Sequence, residues 1–503
     1  MTALSAILAQ GDPVAQHRPW PRVRIDRAAW QAATARLAGG RLALLGLWGD
    51  RQAVHMAALD PDSAALAVLS LACPHGAFPA VSAAHPPAAR LERTVRELFG
   101  LEPEGLGDRR RWLDHGRWGV RRPLGAQSDA APRGDPYPFL PAEGEGLHQI
   151  PVGPVHAGII EPGHFRFTAG GETVVRLEER LGYVHRGVES LMAGADLERA
   201  ARLAERVSGD SAVGYAVAFA RAVEAALDLA VPPRAHWLRG LMAEVERLAN
   251  HLGDIGAICN DAAFALIHAQ CGILRERTLR AAHAAFGHRL MRDCVRPGGV
   301  AIDIASAGVA ELRALLGAVR DRFPALVEVY DGATSLQDRT VATGFLPPAL
   351  ARQYAAGGYV GRASGRAFDA RRQLGYPPYD AVSFTVPVRD GGNVDARVWI
   401  RILEVEQSLS LIEQILEQMP EGAVRSPIAP RQETGEGMAI VEGFRGDILV
   451  WLRIAGGRIA RCHLRDPSWF QWPLLEAAIE GNIVADFPLC NKSFNCSYAG
   501  HDL

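Results

Sequence analysis

The chain has 503 residues, of which 48% are hydrophobic and 22% charged, a composition typical of a soluble globular protein of two to four domains. Its formal net charge of −2 excludes a general electrostatic attraction to nucleic acid. No run of about 18 apolar residues occurs, so no membrane-spanning helix is predicted. The N-terminus lacks a basic region before an apolar core, so no signal peptide is expected.

Residues 1–115 mix strand and helix signals. The stretch 41–50, RLALLGLWGD, is typical of an apolar strand, and HMAALDPD after it indicates a second strand stopped by proline. Residues 87–103, PAARLERTVRELFGLEP, carry apolar residues at helical spacing before a glycine and a proline. The pattern predicts a small α+β domain.

Residues 116–150 are dense in glycine and proline and have no hydrophobic period, which predicts a linker or wrapping loop. A second unit, residues 151–503, begins with a hairpin that turns at Gly170 and Gly171. Long helices are then predicted near 196–230, 234–256, 262–291, 308–329 and 397–418. A second hairpin, with a Gly456-Gly457 turn, and a short helix, WPLLEAAIE, follow near the end.

These elements predict an α+β fold. A small domain of α/β-sandwich type comes first. A large domain follows, with a core of long bundled helices and small β-hairpin subdomains.

Cysteine and lysine usage are both informative. The seven cysteines include no CxxC pair, which indicates a reducing compartment and predicts that the chain carries no iron–sulfur cluster of its own.

Lys492 is the only lysine beside 53 arginines. One explanation is a compositional bias that favours arginine. The alternative, given even weight, is a local role that needs a compact ammonium instead of a guanidinium.

No phosphate-cradling GxGxxG or Walker loop is present, so any NAD binding would belong to an assembled complex and not to this chain. Two stretches, GPVHAGIIEPGHF and GYVHRGVES, group residues that could relay protons. The group consists of His156, Glu161, His164, His185, Arg186 and Glu189. Ordinary salt bridges at loops and helix ends are the favoured interpretation.

The stretch ERVSGDSAVG places Ser208 and Ser211 three positions apart behind Arg206. Together with GPVH, GYVHRGVE, the 234–299 helices ending in RPGG, and VEGFRGDILVW, it resembles the large subunit of energy-converting nickel–iron hydrogenases and its relative in respiratory complex I. Residues 87–113 resemble the smaller, 30-kDa-type complex I subunit, here fused to the 49-kDa type. The resemblance covers nearly the whole chain.

In those hydrogenases, an Arg-x-Cys-Gly-x-Cys motif and an Asp-Pro-Cys-x-x-Cys motif supply four thiolates to the metals. The resemblance places Ser208 and Ser211 at the first pair and Ser497 and Gly500 at the second. Soft thiolates hold nickel, whereas hydroxyls are poor ligands for it. The chain also ends three residues after Gly500, without a tail of the kind that hydrogenases remove. We therefore expect no nickel and no other metal on this chain.

The complex I relatives bind a quinone head group in the same cavity. His156 matches their Gly-Pro-x-His histidine, but Gly209 stands where their partner tyrosine is expected. Arg445, in EGFRGD, matches the arginine that hydrogenases hold over the metals. The predicted cavity residues are His156, Arg206, Ser208, Asp210, Ser211, Arg445, Lys492 and Ser497. Of these, His156, Arg206, Asp210, Arg445 and Lys492 are predicted to be catalytic, and His156, Ser208, Ser211 and Ser497 to contact the bound group.

The resemblance implies a peripheral-arm subunit on the cytoplasmic face of the inner membrane, in a redox complex with an iron–sulfur small subunit and an ion-translocating membrane arm. The chain would pass electrons from that partner's clusters to a quinone or another small acceptor, coupled to ion translocation. Two alternatives remain: an active hydrogenase of formate hydrogenlyase type, and a non-enzymatic subunit that only transmits conformation.

Overall fold

The architecture was analysed in a computed structural model that describes residues 3–129, 136–428 and 434–503. The α-helices are α1 Ser5–Leu8, α2 Arg27–Ala38, α3 Ala89–Phe99, α4 Val188–Met192, α5 Leu197–Ala204, α6 Ala212–Leu227, α7 Pro233–Asp261, α8 Ala265–Phe286, α9 Ser306–Gly332, α10 Thr334–Thr340, α11 Pro348–Gln353, α12 Gly358–Arg362, α13 Val394–Gln418, α14 Ser468–Ala478, α15 Phe487–Phe494 and α16 Tyr498–Asp502. The strands are β1 Asp12–Pro13, β2 His17–Arg18, β3 Arg22–Ile25, β4 Ala43–Asp50, β5 Ala53–Leu59, β6 Leu66–Ala72, β7 Ala77–Pro79, β8 Glu102–Glu104, β9 Val120–Arg121, β10 Ser128–Asp129, β11 Leu147–Val152, β12 His164–Gly170, β13 Thr173–Arg180, β14 Val295–Arg296, β15 Gly299–Val300, β16 Gly435–Gly443, β17 Gly446–Ala455 and β18 Arg458–Arg465.

The α+β prediction is confirmed. The N-terminal part is a five-stranded sheet in the order β1-β3-β6-β5-β4. In it, β3 and β6 run parallel and the remaining pairs run antiparallel. Its helices include the predicted α3, which ends at Gly100 in the left-handed conformation that favours glycine.

The large domain is built around long helices. Among these, α7 packs against α8 and α13, and α8 packs against α9. The predicted stretch 196–230 is split into α5 and α6 by the turn that holds Ser208 and Ser211. Both predicted hairpins are present, β12–β13 and β17–β18, and β11 adds a third strand to the first. That strand extends from the predicted linker into the second unit. Residues 130–135 of the linker lie outside the described residues.

The two parts are joined by a shared sheet and a shared core. Strand β2 pairs with β16 in the four-stranded sheet β18-β17-β16-β2. Trp48 of β4 and Trp451 of β17, both buried, lie with their ring centroids 5.6 Å apart. The N-terminal sheet therefore packs against the hairpin of the large domain. Burial of such large aromatic surfaces stabilises the contact.

Glycines allow α6 to lie directly on β16. A Cβ atom on Gly437 would overlap the carbonyl oxygen of Ala222, and one on Gly435 would overlap that of Ala226. A side chain at either position would push the helix away from the sheet. This close packing holds the C-terminal half of α6 against β16. Within the described ranges, no helix has the length and apolar character needed to cross a bilayer.

Candidate functional site

The first serine motif lies in the turn between α5 and α6. Ser211 is the residue before α6, and its side chain does not cap the helix. The carboxylate of Glu246 on α7 accepts hydrogen bonds from the backbone N–H groups of Val213 (2.7 Å) and Gly214 (3.0 Å). Glu246 therefore satisfies donors that would otherwise be free at the helix start, and both serine hydroxyls remain available to the site.

The second motif lies between α15 and α16. Asn495 adopts the left-handed conformation (φ 45°) and ends α15, and the chain then turns into α16. The hydroxyl of Ser497 accepts a hydrogen bond from the backbone N–H of Gly500 at 2.9 Å. Ser497 is thus the N-cap of α16, so the serine that the resemblance aligns with a hydrogenase thiolate has a structural function.

A chain of hydrogen bonds joins the two motifs. The Oγ atoms of Ser208 and Ser497 are 2.8 Å apart, although the residues are 289 positions apart in the sequence. Ser208 donates its proton to Oδ1 of Asp210 at 2.9 Å. Because a hydroxyl carries one proton, Ser497 must be the donor to Ser208. The order is therefore Ser497 to Ser208 to Asp210.

Arg445 closes the other side of Asp210. Its terminal nitrogens donate to both carboxylate oxygens, with 2.7 Å between Nη1 and Oδ1. Nη1 also lies 3.3 Å from Oγ of Ser211, which itself donates to Asp210 at 3.1 Å. Burial raises the pKa of the Asp210 carboxyl, but the charge and hydrogen bonds of Arg445 outweigh it and hold the pKa at about 2. Asp210 is therefore ionised at neutral pH.

His156 lies in the loop after β11, with its Nε2 atom 3.5 Å from the hydroxyl oxygen of Tyr498, at the outer limit of a hydrogen bond. Burial lowers the pKa of His156 and raises the pKa of Tyr498. At neutral pH the imidazole is therefore neutral and the phenol keeps its proton. Tyr498 thus places a hydroxyl beside His156. It comes from a part of the chain far from Gly209, the residue that the resemblance aligns with the family's tyrosine.

The predicted residues meet at one cleft of about 620 Å³. Its walls include six of them: His156, Ser208, Asp210, Arg445, Lys492 and Ser497. Ser211 lies behind Asp210, within the hydrogen bonds described above. Arg206 is the exception, because it does not belong to this wall. Its side chain is 43% exposed, and its guanidinium pairs with Glu205 and, at 3.3 Å, with Asp293.

Lys492 lies in the last turn of α15, at the wall of the cleft. Its Nζ atom is 3.3 Å from Oδ1 of Asn495, whose amide nitrogen donates to Asp254 at 2.8 Å. Asp254 in turn accepts from Arg401 at 3.1 Å. The ammonium also stabilises the negative charge of Asp261, another residue of the wall. The ion pair of Asp210 is made with Arg445 and not with Lys492.

Sequence reasoning left several wall residues out of the predicted set, among them Glu161, Asp261, Asn495 and Tyr498. Glu161 accepts the backbone N–H of Ala499 at 2.9 Å and was noted only as one of a His/Glu group. Elsewhere in that group the salt-bridge interpretation fits only Glu189, because His164, His185 and Arg186 contact backbone carbonyl oxygens. Glu189 pairs with Arg461 and His463 at 2.9 and 2.8 Å. Only the GPVHAGIIE part of the group faces the cleft.

The arrangement does not fit a nickel–iron centre. The resemblance aligns four positions with the metal-binding thiolates. At two of them, Ser208 and Ser497, the hydroxyls contact each other, and at a third, Ser211, the hydroxyl is bonded to Asp210 and Arg445. At the fourth, a Cβ atom on Gly500 would overlap the carboxylate of Asp466. In the part of the chain that the structure describes, no three His, Cys, Asp or Glu side chains are grouped as a metal ion requires. Hydroxyls are also hard, weakly acidic donors, poorly suited to nickel.

Two family descriptions match the chain. Residues 186–253 match "Nickel-dependent hydrogenase", and residues 267–433 match "Respiratory-chain NADH dehydrogenase, 49 Kd subunit". The first match contains the turn with Ser208 and Ser211, and the second covers helices α8, α9 and α13.

Individual relatives extend the similarity. Formate hydrogenlyase subunit 5 of Escherichia coli (strain K12) is 30% identical over 437 residues, which is 84% of this chain and 77% of that protein. An NADH-quinone oxidoreductase subunit of Roseiflexus sp. (strain RS-1) is 31% identical over 352 residues, 67% of this chain and 94% of that protein.

A solved structure shares the architecture. It comes from a membrane-bound sulfane sulfur reductase, an archaeal respiratory membrane complex. One of its chains superposes with a TM-score of 0.67 and 25% sequence identity, covering 71% of this chain and 99% of that one.

Proposed function

This chain belongs to the family that unites the large subunits of nickel-dependent hydrogenases with the 49-kDa subunits of respiratory NADH dehydrogenase, and we propose that it reduces a small acceptor in a membrane-bound redox complex without using nickel. The acceptor is a quinone or another small molecule of similar chemistry. The cleft between the two serine motifs is the proposed binding site.

One observation carries this proposal. The cleft brings together an arginine–carboxylate pair and a histidine–tyrosine pair, but the side chains at the positions aligned with thiolates offer hydroxyls. Polar and charged groups that converge on one cleft are a feature of binding and catalytic sites. A hydrogenase reaction at nickel is disfavoured by the donor chemistry.

The reaction balances without a metal on this chain. A quinone takes up two electrons and two protons to become a quinol, with one proton on each carbonyl oxygen. The electrons come from an iron–sulfur cluster of the partner subunit. Tyr498, protonated at neutral pH, donates a proton to one oxygen, and a proton from solvent in the open cleft reaches the other. The neutral imidazole of His156 passes its Nε2 proton to the phenolate and takes up a proton from solvent at Nδ1. Arg445 and Lys492 stabilise the negative charge that forms on the acceptor before protonation.

The proposed setting follows from the relatives. The chain is a peripheral subunit in contact with an iron–sulfur small subunit and with a membrane arm that translocates ions, at the cytoplasmic face of the inner membrane. Relatives whose names place them in NADH dehydrogenases and in a respiratory membrane complex support this assignment.

The test uses the complex isolated through a tag on this chain from its native membrane. The complex is reduced through its iron–sulfur clusters, and reoxidation by short-chain quinones and by sulfur compounds is followed optically. We expect His156→Ala to lower the reoxidation rate by at least about tenfold, with unchanged subunit composition. His75→Ala, which alters an exposed histidine far from the cleft in sequence, is the matched control.

Three results would contradict the proposal. If His156→Ala reoxidises at the wild-type rate, His156 has no part in the reaction. If the intact complex reduces no acceptor although its clusters are reduced, the chain is the non-enzymatic coupling subunit considered above. Hydrogen evolution with stoichiometric nickel would restore the hydrogenase alternative.

A further inference from the structure

A second cavity, of about 610 Å³, lies at the other end of α6. Helix α6 begins next to Ser211 in the cleft, and Arg221 lies ten positions further along it. At 1.5 Å per residue this is about 15 Å along the helix axis. The walls of the two cavities share no residue. We call this second space the Arg221 cavity. Its walls include Trp20, Arg221, His236, Leu374 and Met438.

Arg221 has no acceptor in the described part of the protein. Its Nε atom is buried and makes no hydrogen bond. The guanidinium lies over the ring of Tyr376, 4.7 Å from the centroid, so one face of its plane is covered. The terminal nitrogens also make no hydrogen bond within the described residues but remain accessible to solvent, and Arg221 belongs to the cavity wall. A guanidinium presented edge-on is a fork of donors that matches a carboxylate or phosphate.

The nearby carboxylates do not neutralise it. Glu224 is bound by both terminal nitrogens of Arg239, one of them at 3.0 Å, and by the backbone N–H of Gly298. Asp228 pairs with Arg18 at 3.2 Å. Asp380 acts on Arg221 only at a distance and lies at the surface.

The cavity therefore carries one uncompensated positive charge. Burial lowers the pKa of Arg221 and lowers the pKa of His236 to about 4, so the imidazole adds no charge at neutral pH. Burying a charge without a partner is costly, and an acceptor from outside would remove that cost. About half of the wall surface is apolar, and Trp20, Leu374 and Met438 belong to this part. An apolar ligand body would gain free energy there.

From this geometry we propose that the Arg221 cavity binds a small organic anion, in which a carboxylate or phosphate group is carried on an apolar body. The head group is held by the guanidinium fork of Arg221. The body lies against Trp20 and the aliphatic wall. This site is separate from the proposed acceptor cleft, and its occupancy does not depend on the redox reaction.

The experiment measures binding to the isolated full-length chain, so it is independent of partner subunits and of acceptor reduction. Decyl phosphate and decanoate, below their micellar concentrations, are titrated by calorimetry, with inorganic phosphate and decanol as comparisons. We expect one saturable site per chain for decyl phosphate and decanoate. Inorganic phosphate should bind more weakly, because it lacks the apolar body, and decanol more weakly, because it lacks the charge.

Variants assign the site. Arg221→Gln should weaken decyl phosphate binding by at least about tenfold, and Arg221→Lys by less, because it keeps the charge but loses the fork. Ala230→Glu, at an exposed wall position, supplies an internal carboxylate to the cavity and should also weaken binding. It keeps the test valid if Arg221→Gln does not fold. Arg280→Gln, at an arginine that is 79% exposed on α8, should bind like the wild type.

Three results would overturn the proposal. These are the absence of saturable binding by both amphiphiles, equal binding of decanol and decyl phosphate, or wild-type affinity in both Arg221→Gln and Ala230→Glu. Trp20→Phe provides a positional check, since a ligand in this cavity should change tryptophan fluorescence in the wild type and change it less in the variant.

Discussion

The end of β16 and the turn into β17 carry two charged residues, Glu442 and Arg445, into two different environments. Glu442 enters a group of buried charges in the helix bundle, which we call the sealed network, and Arg445 enters the cleft. Phe444 lies between them, in contact with the ring of His251 on one side and the guanidinium of Arg445 on the other. The sealed network consists of Glu244, Arg247, His251, Arg362, Asp369, Arg371, Glu404 and Glu442.

The two environments differ in what the charges can still bind. In the sealed network, Arg362 donates to Glu442 at 2.9 Å and also to Glu404, and Arg371 donates to Glu244 at 2.9 Å. Arg362 is fully buried. In the cleft, Asp210 is 34% exposed beside its pair with Arg445. Charges that are closed off from water stabilise a structure, whereas charges that border a cavity can also act on a ligand.

The largest effect is expected in the sealed network. Arg362→Met would leave Glu404 and Glu442 without their shared cation in a dry interior, and we expect a loss of about 3–5 kcal/mol in the free energy of unfolding. Urea unfolding followed by circular dichroism measures it. Arg320→Met, which breaks an exposed pair with Glu413, is the control and should cost less than about 1 kcal/mol. Equal losses in both variants would remove the distinction between sealed and exposed pairs.

A smaller effect is expected at the cleft pair. Arg445→Met should cost about 1–3 kcal/mol, because water in the cleft can still solvate Asp210, and acceptor reduction should be lost. A cost as large as that of Arg362→Met would show that the cleft is closed like the network.

The same pair predicts a pH dependence. The folded pKa of Asp210, about 2, lies below the ordinary value of 3.8. The stabilisation from its ionised form is therefore present above pH 4 and is lost as the pH falls from about 4 through 2. Asp210→Asn has no carboxylate to protonate. The difference in unfolding free energy between wild type and Asp210→Asn should therefore shrink over this range, and a difference that stays constant would contradict the pair.

Gly500 tests whether the metal position can be restored. Because a Cβ atom there would overlap Asp466, Gly500→Ala should destabilise the chain by about 1–3 kcal/mol. For the same reason, replacing Ser208, Ser211, Ser497 and Gly500 together with cysteine should not create a nickel site. Elemental analysis of the wild type and this variant is the measurement. Stoichiometric nickel in the wild type that survives chelation would contradict the assignment of the cleft.

The smallest effect on stability is expected for Lys492, at the wall of the cleft. Lys492→Arg should change the free energy of unfolding by less than about 0.5 kcal/mol. It should nevertheless lower acceptor reduction, since a planar guanidinium does not occupy the place of a compact ammonium. Full activity in an assembled Lys492→Arg complex would favour compositional chance as the reason for the single lysine.

The sequence alone was sufficient to predict the α+β class, the long helices and both hairpins. Local signals determine these features: apolar residues at helical spacing in α7, and Gly-Gly turns between apolar strands at positions 170–171 and 456–457. The motif resemblance also selected His156, Ser208, Asp210, Arg445, Lys492 and Ser497, which line one cleft. These residues could be selected because their motifs follow one another along the chain in the order found in the family.

Only the tertiary structure decided how those residues interact. The direct contact between Ser208 and Ser497 joins positions 289 residues apart, and the placement of Tyr498 beside His156 depends on α16 packing against the loop between β11 and β12. Arg206 belongs to the same motif as Ser208 but turns toward solvent, because a side chain's direction at a helix end depends on its neighbours. The sequence does not indicate that Arg221 lacks an acceptor. Glu224 lies three positions away, but only the structure shows that it binds Arg239. Such pairings are fixed by long-range packing, which local sequence patterns do not encode.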